Sequence, residues 1–531
     1  MSLRIPRETL LAKGWPEGPL FGELYAALAE LSARGIHDEA YALKLLARRF
    51  PPPSPKLTRR DEPAPLAEAI RGENDVEIKN IAAVRRQMQE LLRTPVIEAG
   101  AVMPDACPVG GGEAVIPVGG AIAVRDAIIP SAHSADICCS LYATVFTSEH
   151  PTSALLDSLM ASTRFGAGGR PSEEHVPDPV TDEDVWKNPF LKGLQKYAVQ
   201  HIADQGDGNH FAFLGRISIT IDLVNTLAIA GYREISDALR NELNGSSSPI
   251  SRHVLVTHHG SRGLGAKLYE RGQTAAVAET KKVALDIPPA AAWLDAKSEI
   301  GQAYWEALSY IGRWTLANHR AIHRRFLENA ASSAITAFGN EHNFVWRVGD
   351  LYLHGKGATP AWRDEQGRPL LGLIPMNMAE PILLTLGRDN TRYLGFAPHG
   401  AGRNRSRSAV LRDYRDRDGA LDTARVEQTI RESCADIEVR WWHGKADLSE
   451  TPVAYKSAAA VRAQIEEFGL ATVVAEITPL GSLMAGDAGP QPWLRRRDQL
   501  TPKQLRQIEH RADRRKVRQA IQSGDDSDDP R

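Results

Sequence analysis

Long apolar runs are missing from this sequence. No stretch approaches the roughly 20 consecutive apolar residues that a membrane helix needs. Residues 1–14 carry charged side chains and lack the apolar core of a signal peptide. We therefore expect no membrane partner and a cytoplasmic location.

Cysteine and net charge are also scarce. Four cysteines in 531 residues exclude a disulfide framework and fit a reducing compartment, where a special cysteine is more often catalytic or metal-bound. A formal net charge of −2 excludes a uniformly basic surface for nucleic acid. Rossmann and Walker fingerprints and a serine nucleophile elbow are absent as well, so nucleotide use would need a different loop architecture.

What is present is an ordinary globular composition, with 42% hydrophobic and 24% charged residues. The length predicts more than one compact unit. Residues 1–65 read as a helical extension with two amphipathic helices within 18–50, followed by a proline-rich linker at 51–55. Residues 66–490 form the main body, and residues 491–531 form a basic helical tail with an acidic, low-complexity end.

In the body, short β-like runs alternate with loops rich in glycine and histidine. The predicted strands are 113–117, 143–146, 217–222, 253–256 and 471–477, and a helical pattern covers 288–327. Chemistry is expected on the loops, because a rigid scaffold commonly carries its site on the connections between elements.

One short segment combines a carboxylate with a thiol. Asp136 and Cys139 lie three residues apart, after an apolar run. Such a pair suits a transition metal of intermediate softness, such as manganese, zinc or iron. A buried structural pair formed by Cys138 and Cys139 explains the same segment equally well, and from this segment alone both interpretations stay open.

Histidine recurs in loops together with glycine, asparagine or arginine. These loops are 206–210, 258–265, 341–343, 354–359 and 399–407. Imidazoles can hold a metal while glycine N–H groups and arginine bind phosphate oxygens. Singly each loop is a weak signal: His259 reads as a loop neighbour of His258, and His354 as a phosphate contact or a solvated residue. Together the loops predict a metal site joined to a phosphate-handling site.

In their order along the chain these segments resemble the motifs of the RtcB family of RNA ligases. The matching segments are Met103-Pro104-Asp105, 136–139, Gly208-Asn209-His210, 258–265, His342-Asn343, Lys356-Gly357-Ala358-Thr359, 399–403 with Ser406-Arg407, and Ala454-Tyr455-Lys456. They span roughly residues 76–486. The His-Gly-Ala-Gly-Arg box with its following Ser-Arg is the most specific single piece, and the ordered set is stronger still.

The resemblance implies an α+β fold: a single large mixed α/β body with an N-terminal helical extension and a C-terminal basic helix. It implies an RNA ligase that uses GTP and two manganese ions. Such an enzyme joins RNA 3′-phosphate or 2′,3′-cyclic phosphate ends to 5′-hydroxyl ends, in RNA repair or tRNA splicing.

The resemblance also implies residue roles. His399 would attack the α-phosphate of GTP and become guanylylated, and Cys139 would bridge the two manganese ions. The other implied metal ligands are Asp136, His210, His258 and His342. The implied nucleotide-binding residues are Asn209, His399, Gly400, Ala401, Gly402, Arg403 and Tyr455, with Tyr455 stacking on guanine and Arg407 also placed to meet phosphate.

Several positions depart from the family pattern. Cys107 stands where the family usually has histidine, Phe213 where it has an acidic residue, and Met484 where it has lysine. The segment Met376-Asn377-Met378-Ala379 replaces Gly-Ser-Met-Gly. Because the metal ligands and the nucleophile are kept, an active but divergent paralogue is favoured.

Two other functions stay open: an enzyme that guanylylates or processes RNA 3′ ends without sealing them, and a catalytically silent RNA-binding paralogue. The basic stretch at 495–518 has three interpretations. It is a solvated helix, an arm that contacts RNA, or a docking element for an activating partner such as the ribosome.

Overall fold

The computed structural model describes residues 4–15, 17–51, 56–110, 112–166, 168–415 and 421–487. Its helices are α1 (Arg7–Ala12), α2 (Leu20–Ala33), α3 (Glu39–Arg49), α4 (Asp75–Leu91), α5 (Thr152–Ser162), α6 (Gln195–Gln200), α7 (Ile221–Ile229), α8 (Arg233–Leu243), α9 (Arg262–Val283), α10 (Glu299–Asn329), α11 (Arg407–Asp413), α12 (Thr423–Ser433) and α13 (Ala458–Glu467).

The strands of the same ranges are β1 (Leu66–Glu68), β2 (Ile97–Cys107), β3 (Val118–Arg125), β4 (Ala127–Ile128), β5 (Ser140–Thr147), β6 (Phe211–Ile219), β7 (Ile250–His259), β8 (Leu294–Asp295), β9 (Ser333–Glu341), β10 (Asn343–Val348), β11 (Leu351–Lys356), β12 (Ala358–Pro360), β13 (Leu371–Pro375), β14 (Ile382–Gly387), β15 (Phe396–Pro398), β16 (Glu438–Trp441) and β17 (Ala471–Met484).

Two sheets organise the body. The larger has eight strands in the order β13-β14-β17-β6-β7-β5-β9, with β16 paired to the end of β17. The smaller has five strands in the order β1-β2-β3-β11-β10. The larger sheet curls, so that its outer strands β9 and β13 approach each other: the Leu373 amide donates to Oδ1 of Asn340 over 2.8 Å.

Strand β5 shows how the large sheet separates two layers. Its odd-numbered residues, Leu141, Ala143 and Val145, pack in one core with side chains of α7 and α8. Phe146 instead packs with α5 and with Phe326 of α10. Because successive side chains of a strand point to opposite faces, a single strand serves both layers. The α+β class expected from the sequence is confirmed.

The amino-terminal helices form a cluster of their own. Helices α2 and α3 agree with the two helices predicted within 18–50, and α1 adds a third. Ile5, Leu10, Trp15, Leu24 and Leu46 are members of one buried cluster drawn from residues 5–50. A separate extension over residues 1–65 stays a prediction that this packing supports. The proline-rich linker at 52–55 and the basic tail lie outside the described residues.

Other expectations meet mixed outcomes. The runs at 143–146, 253–256 and 471–477 lie in β5, β7 and β17. The run at 113–117 is wrong, because the strand there begins only at Val118. The run at 217–222 ends early, since Thr220 caps α7 by accepting a hydrogen bond from the Leu223 amide. Within the described ranges no helix is long and apolar enough to cross a membrane.

His354 is neither a phosphate contact nor a solvated loop residue. It lies fully buried in β11, where Nε2 accepts a hydrogen bond from the Ile129 amide (3.0 Å) and Nδ1 donates to the Tyr352 carbonyl (3.0 Å). Both ring nitrogens are therefore satisfied by the neutral ring. Burial, followed by the charge of His133, lowers the pKa of His354 to about 3.

We expect His354 to make the fold sensitive to acid. Because its folded-state pKa lies below the ordinary value of 6.5, the unfolded chain binds a proton that the folded chain refuses between these two values. Stability therefore falls as the pH falls below about 6.5, by about 2 kcal/mol at pH 5 from this residue. Urea unfolding at pH 7.5 and pH 5 should show a loss smaller by that amount for His354→Gln than for the unmodified chain. Equal losses in the two proteins would contradict this assignment.

Candidate metal centre and active site

Loops that carry the predicted metal ligands meet at one edge of the large sheet. Strands β5 and β6 begin at this edge and β7 and β9 end there, because neighbouring strands run antiparallel. The register places His210, which precedes β6, beside His258 at the end of β7. It likewise places Cys139, which precedes β5, beside His342, which follows β9.

The predicted ligands fall into two groups that share Cys139. One consists of Cys139, His258 and His342, and the other of Asp136, Cys139 and His210. Within each group the ligand atoms lie within 4.8 Å of one another. Four of the five side chains are buried, and Asp136 is partly buried. A thiol common to both groups is the arrangement expected of a ligand that bridges two ions.

The distances inside the cluster are short for groups of one kind. Cys139 Sγ lies 3.2 Å from Nε2 of His258 and 3.5 Å from Nε2 of His210. The Nε2 atoms of His258 and His342 are 3.1 Å apart, and Nε2 of His210 is 2.8 Å from Oδ2 of Asp136. Several lone pairs thus converge on a small volume, which suits a cation among them.

Electrostatics agrees with this use. Burial, then the charges of His210 and His399, lowers the pKa of His258 to about 3, and burial lowers that of His342 well below its usual range. Both are neutral imidazoles, the form that ligates metal. Burial acts to raise the pKa of Asp136, but the charge and hydrogen bond of His210 outweigh it and the pKa is lowered.

The Cys139 thiol behaves differently. Burial, together with the charge of Asp136, raises its pKa well above the usual value. Without a cation the thiol therefore keeps its proton, whereas a bound metal would stabilise the thiolate and release that proton. A thiolate, imidazoles and one carboxylate form a donor set that fits a transition metal of intermediate softness.

Close backbone approach explains two glycines of the histidine-bearing loops. A Cβ atom on Gly260 would lie 2.1 Å from Oδ1 of Asp136. A Cβ atom on Gly206, whose φ is +122°, would lie 2.3 Å from Nδ1 of His210. Any larger residue at either position would displace a ligand.

A second layer of histidines lies behind the ligands, on the opposite face of the sheet. Thr257 Oγ1 bonds Nδ1 of His319 (2.6 Å) and Nε2 of His323 (2.9 Å), and Ser140 Oγ bonds Nε2 of His319 (3.0 Å). The ring of His259 stacks on His319 with a centroid distance of 3.5 Å. His259 is therefore a buried β7 residue that faces α10, not a loop neighbour of His258.

The predicted nucleophile lies next to this cluster. His399 follows β15, which pairs with β12, and the ring centroids of His399 and His342 are 5.0 Å apart. Nδ1 of His399 lies 2.5 Å from Oδ2 of the fully buried Asp105, and the His399 amide donates to the same oxygen over 3.1 Å. Since Nδ1 is engaged, Nε2 is the nitrogen available for chemistry.

Asp105 is held by its neighbours in turn. Lys456 donates to the carbonyls of Pro104 (2.8 Å) and Ala106 (2.9 Å), on either side of Asp105. Gly402, with φ +74°, lets its loop pass close to Asp105, because a Cβ there would lie 2.0 Å from the Asp105 carbonyl oxygen. Asp105 thus occupies a rigid position under His399.

A buried carboxylate organises the predicted phosphate-binding arginines. Oε2 of Glu450 accepts from Arg403 (2.5 Å) and from the Tyr455 hydroxyl (3.0 Å), and Oε1 lies 2.7 Å from Arg407. The Arg403 guanidinium also lies over the Tyr455 ring, 5.0 Å from its centroid. Arg403 and Tyr455 are therefore fixed in relation to each other.

These side chains enclose one cavity of about 310 Å³. The predicted residues that line it are Asp136, Cys139, Asn209, His258, His342, His399, Gly400, Ala401, Gly402, Arg403, Arg407 and Tyr455. His210 lies behind Asp136. The structure therefore brings all the predicted site residues to one place.

Three other polar residues of the site carried no assigned role in the sequence. Asp105 belongs to a recognised motif but is equally explained as a turn residue, and only its contact with His399 distinguishes these uses. Lys356 also lines the cavity, and burial lowers its pKa to about 8. Glu450 lies in a segment with no motif, so nothing in the sequence pointed to it.

The fold and the site define an α+β protein with a buried donor cluster of the metal-binding type beside a histidine–aspartate pair. The chain belongs to the RtcB family: residues 187–485, more than half of its length, match the family model described as tRNA-splicing ligase RtcB.

Its relatives are distant. It is 25% identical over 427 residues to RNA-splicing ligase RtcB2 of Escherichia coli strain ATCC 25922, covering 79% of this chain and 96% of that protein. RNA-splicing ligase RtcB of Escherichia coli K12 is 24% identical over 72% of this chain and 90% of its own length. tRNA-splicing ligase RtcB of Pyrococcus abyssi is 26% identical over 60% of this chain, which spans only 34% of that protein.

The shared thiol gives a direct test of the metal centre. Cys139→Ala removes the only ligand common to both groups, so we expect it to lose nearly all bound manganese or zinc after loading and gel filtration, measured by elemental analysis. Cys138→Ala is the matched control, since Cys138 packs in an apolar core and belongs to neither group. Equal metal content in the two variants would contradict the assignment.

Proposed function

We propose that this protein is an RNA ligase that joins RNA 3′-phosphate or 2′,3′-cyclic phosphate ends to 5′-hydroxyl ends through a guanylylated His399. The observation that carries this proposal is the His399–Asp105 pair beside the donor cluster, with Nδ1 engaged by a buried carboxylate and Nε2 left for nucleophilic attack. Membership of a family whose relatives are named RNA- or tRNA-splicing ligases supports the choice of substrate.

In the first step, Nε2 of His399 attacks the α-phosphorus of GTP. A phosphorus–nitrogen bond forms, the bond from the α-phosphorus to the bridging oxygen breaks, and pyrophosphate leaves. Asp105 holds the proton on Nδ1 and stabilises the positive charge that the ring acquires. Two manganese ions, held by Cys139 with Asp136, His210, His258 and His342, supply neutralisation of phosphate charge when bound.

The remaining cavity residues bind and orient the nucleotide. Asn209 and the loop of Gly400, Ala401 and Gly402 line the cavity around His399. Arg403 and Tyr455, fixed by Glu450, offer a cation and an aromatic ring. GMP then passes from His399 to the RNA 3′-phosphate, and the 5′-hydroxyl oxygen attacks that phosphorus and displaces GMP.

Covalent labelling tests the nucleophile. With manganese and [α-³²P]GTP, His399→Ala should give no protein-bound label, because the attacking nitrogen is gone. Asp105→Asn should lower the labelling rate by about 100-fold or more, since the amide cannot hold the ring in the same charge state. His150→Ala, at an exposed histidine remote from these contacts, should label normally. Label on His399→Ala protein that still binds manganese would refute the nucleophile assignment.

Sealing is tested separately from labelling. The protein should join an RNA with a 3′-phosphate to one with a 5′-hydroxyl when GTP and manganese are present, and a gel assay would show the longer product. Label without sealing would instead indicate an enzyme that guanylylates or processes RNA 3′ ends. RNA binding without label or sealing would indicate a silent paralogue.

A further inference from the structure

One wall of the cavity has no place in the proposed chemistry. It consists of Phe211, Phe213, Met376, Met378, Ile382 and Met484. Phe213, Met376, Met378 and Met484 are each at most 6% exposed, so the wall is the floor of the pocket and not a solvent-facing patch. In the β6–β17 register Phe211 pairs with Met484 and Phe213 with Ser482, which makes the wall a continuous strip across two strands.

This wall is directly continuous with the reacting groups. The ring of Phe211 lies 5.0 Å from the ring of His258, one of the predicted ligands. On the other side, the segment of Met376 follows Pro375, whose carbonyl oxygen would lie 2.9 Å from a Cβ atom on Gly400. A nucleotide with its phosphates at His399 therefore has this strip of rings and thioethers within reach of its base.

The polar groups on and around the wall are few. Ser482 Oγ lines the cavity, is almost fully buried and has no hydrogen-bond partner in the described part of the chain. Among the described lining residues the carboxylates are Asp136, engaged by His210, and Glu450, whose two oxygens are engaged by Arg403, Arg407 and Tyr455. No lining carboxylate is left to accept the two N–H donors of a guanine edge.

Recognition without such an acceptor is weak in selectivity. A site built to hydrogen-bond a ligand group can reject an analogue that lacks it by about 10⁴-fold, whereas an apolar pocket discriminates similar shapes by only about 100-fold. Thioethers and phenyl rings contact any purine through its π-face. A single hydroxyl both donates and accepts, so Ser482 can serve either guanine or adenine.

We infer that the base of the bound nucleotide lies on this methionine–phenylalanine wall, and that the protein accepts ATP about as well as GTP. The inference rests on the proposed function in one respect only, namely that nucleotide phosphates bind at His399.

Equilibrium binding of ATP and GTP to the manganese-loaded full chain, measured by calorimetry, tests the inference without relying on catalysis. The two dissociation constants should agree within about tenfold. Met484→Glu places a carboxylate acceptor on the wall and should shift the ratio toward GTP by at least about tenfold, whereas the volume-conserving Met484→Leu should leave it unchanged.

GTP bound at least 100-fold more tightly than ATP by the unmodified protein would overturn the inference, and so would failure to bind either nucleotide. Labelling with [α-³²P]ATP and [α-³²P]GTP separates the two proposals. Similar affinities without label on His399 would leave the inference standing and refute the proposed function.

Discussion

Antiparallel hydrogen bonding between β5, β6, β7 and β9 is the constraint on which the site depends. Two of these strands start and two end at the same edge, so loops far apart in the chain deliver their first or last residues to one point. A register slip of one residue would turn His258 to the opposite face, where His259 now lies. The short distances between Cys139 and its histidines therefore follow from the ladder and not from the loops alone.

Burial gives this arrangement its chemistry. Neutral imidazoles and a protonated thiol can be taken out of water more cheaply than charged groups, and the lowered histidine pKa values and raised thiol pKa reflect that cost. The lone pairs that remain are then concentrated in a dry volume. The second layer, with Thr257 and Ser140 bonded to the histidines of α10, fixes the strands that carry the ligands.

Two walls of different character meet in the cavity. The wall around His399 is polar and closely braced, with Asp105 held between two carbonyls that accept from Lys456. The wall built on β6 and β17 is apolar and rich in methionine. Polar, preorganised groups suit a reaction that moves charge, whereas thioethers adapt to the shape of whatever they contact. The departures Phe213, Met376, Met378 and Met484 all fall on the second wall, so divergence is confined to one side of the pocket.

The sequence by itself determined the family, the α+β class and the identity of the ligand and nucleophile candidates, because loop motifs with fixed order and spacing survive at about 25% identity. It could not separate His258 from His259 or place His354, since adjacent or similar residues differ only in which face of a strand they occupy. Nor could it pair His399 with Asp105 or find Glu450, because these contacts join segments distant in the chain. Only the tertiary structure decided them, through strand register and through the burial that makes a carboxylate a partner instead of a surface charge.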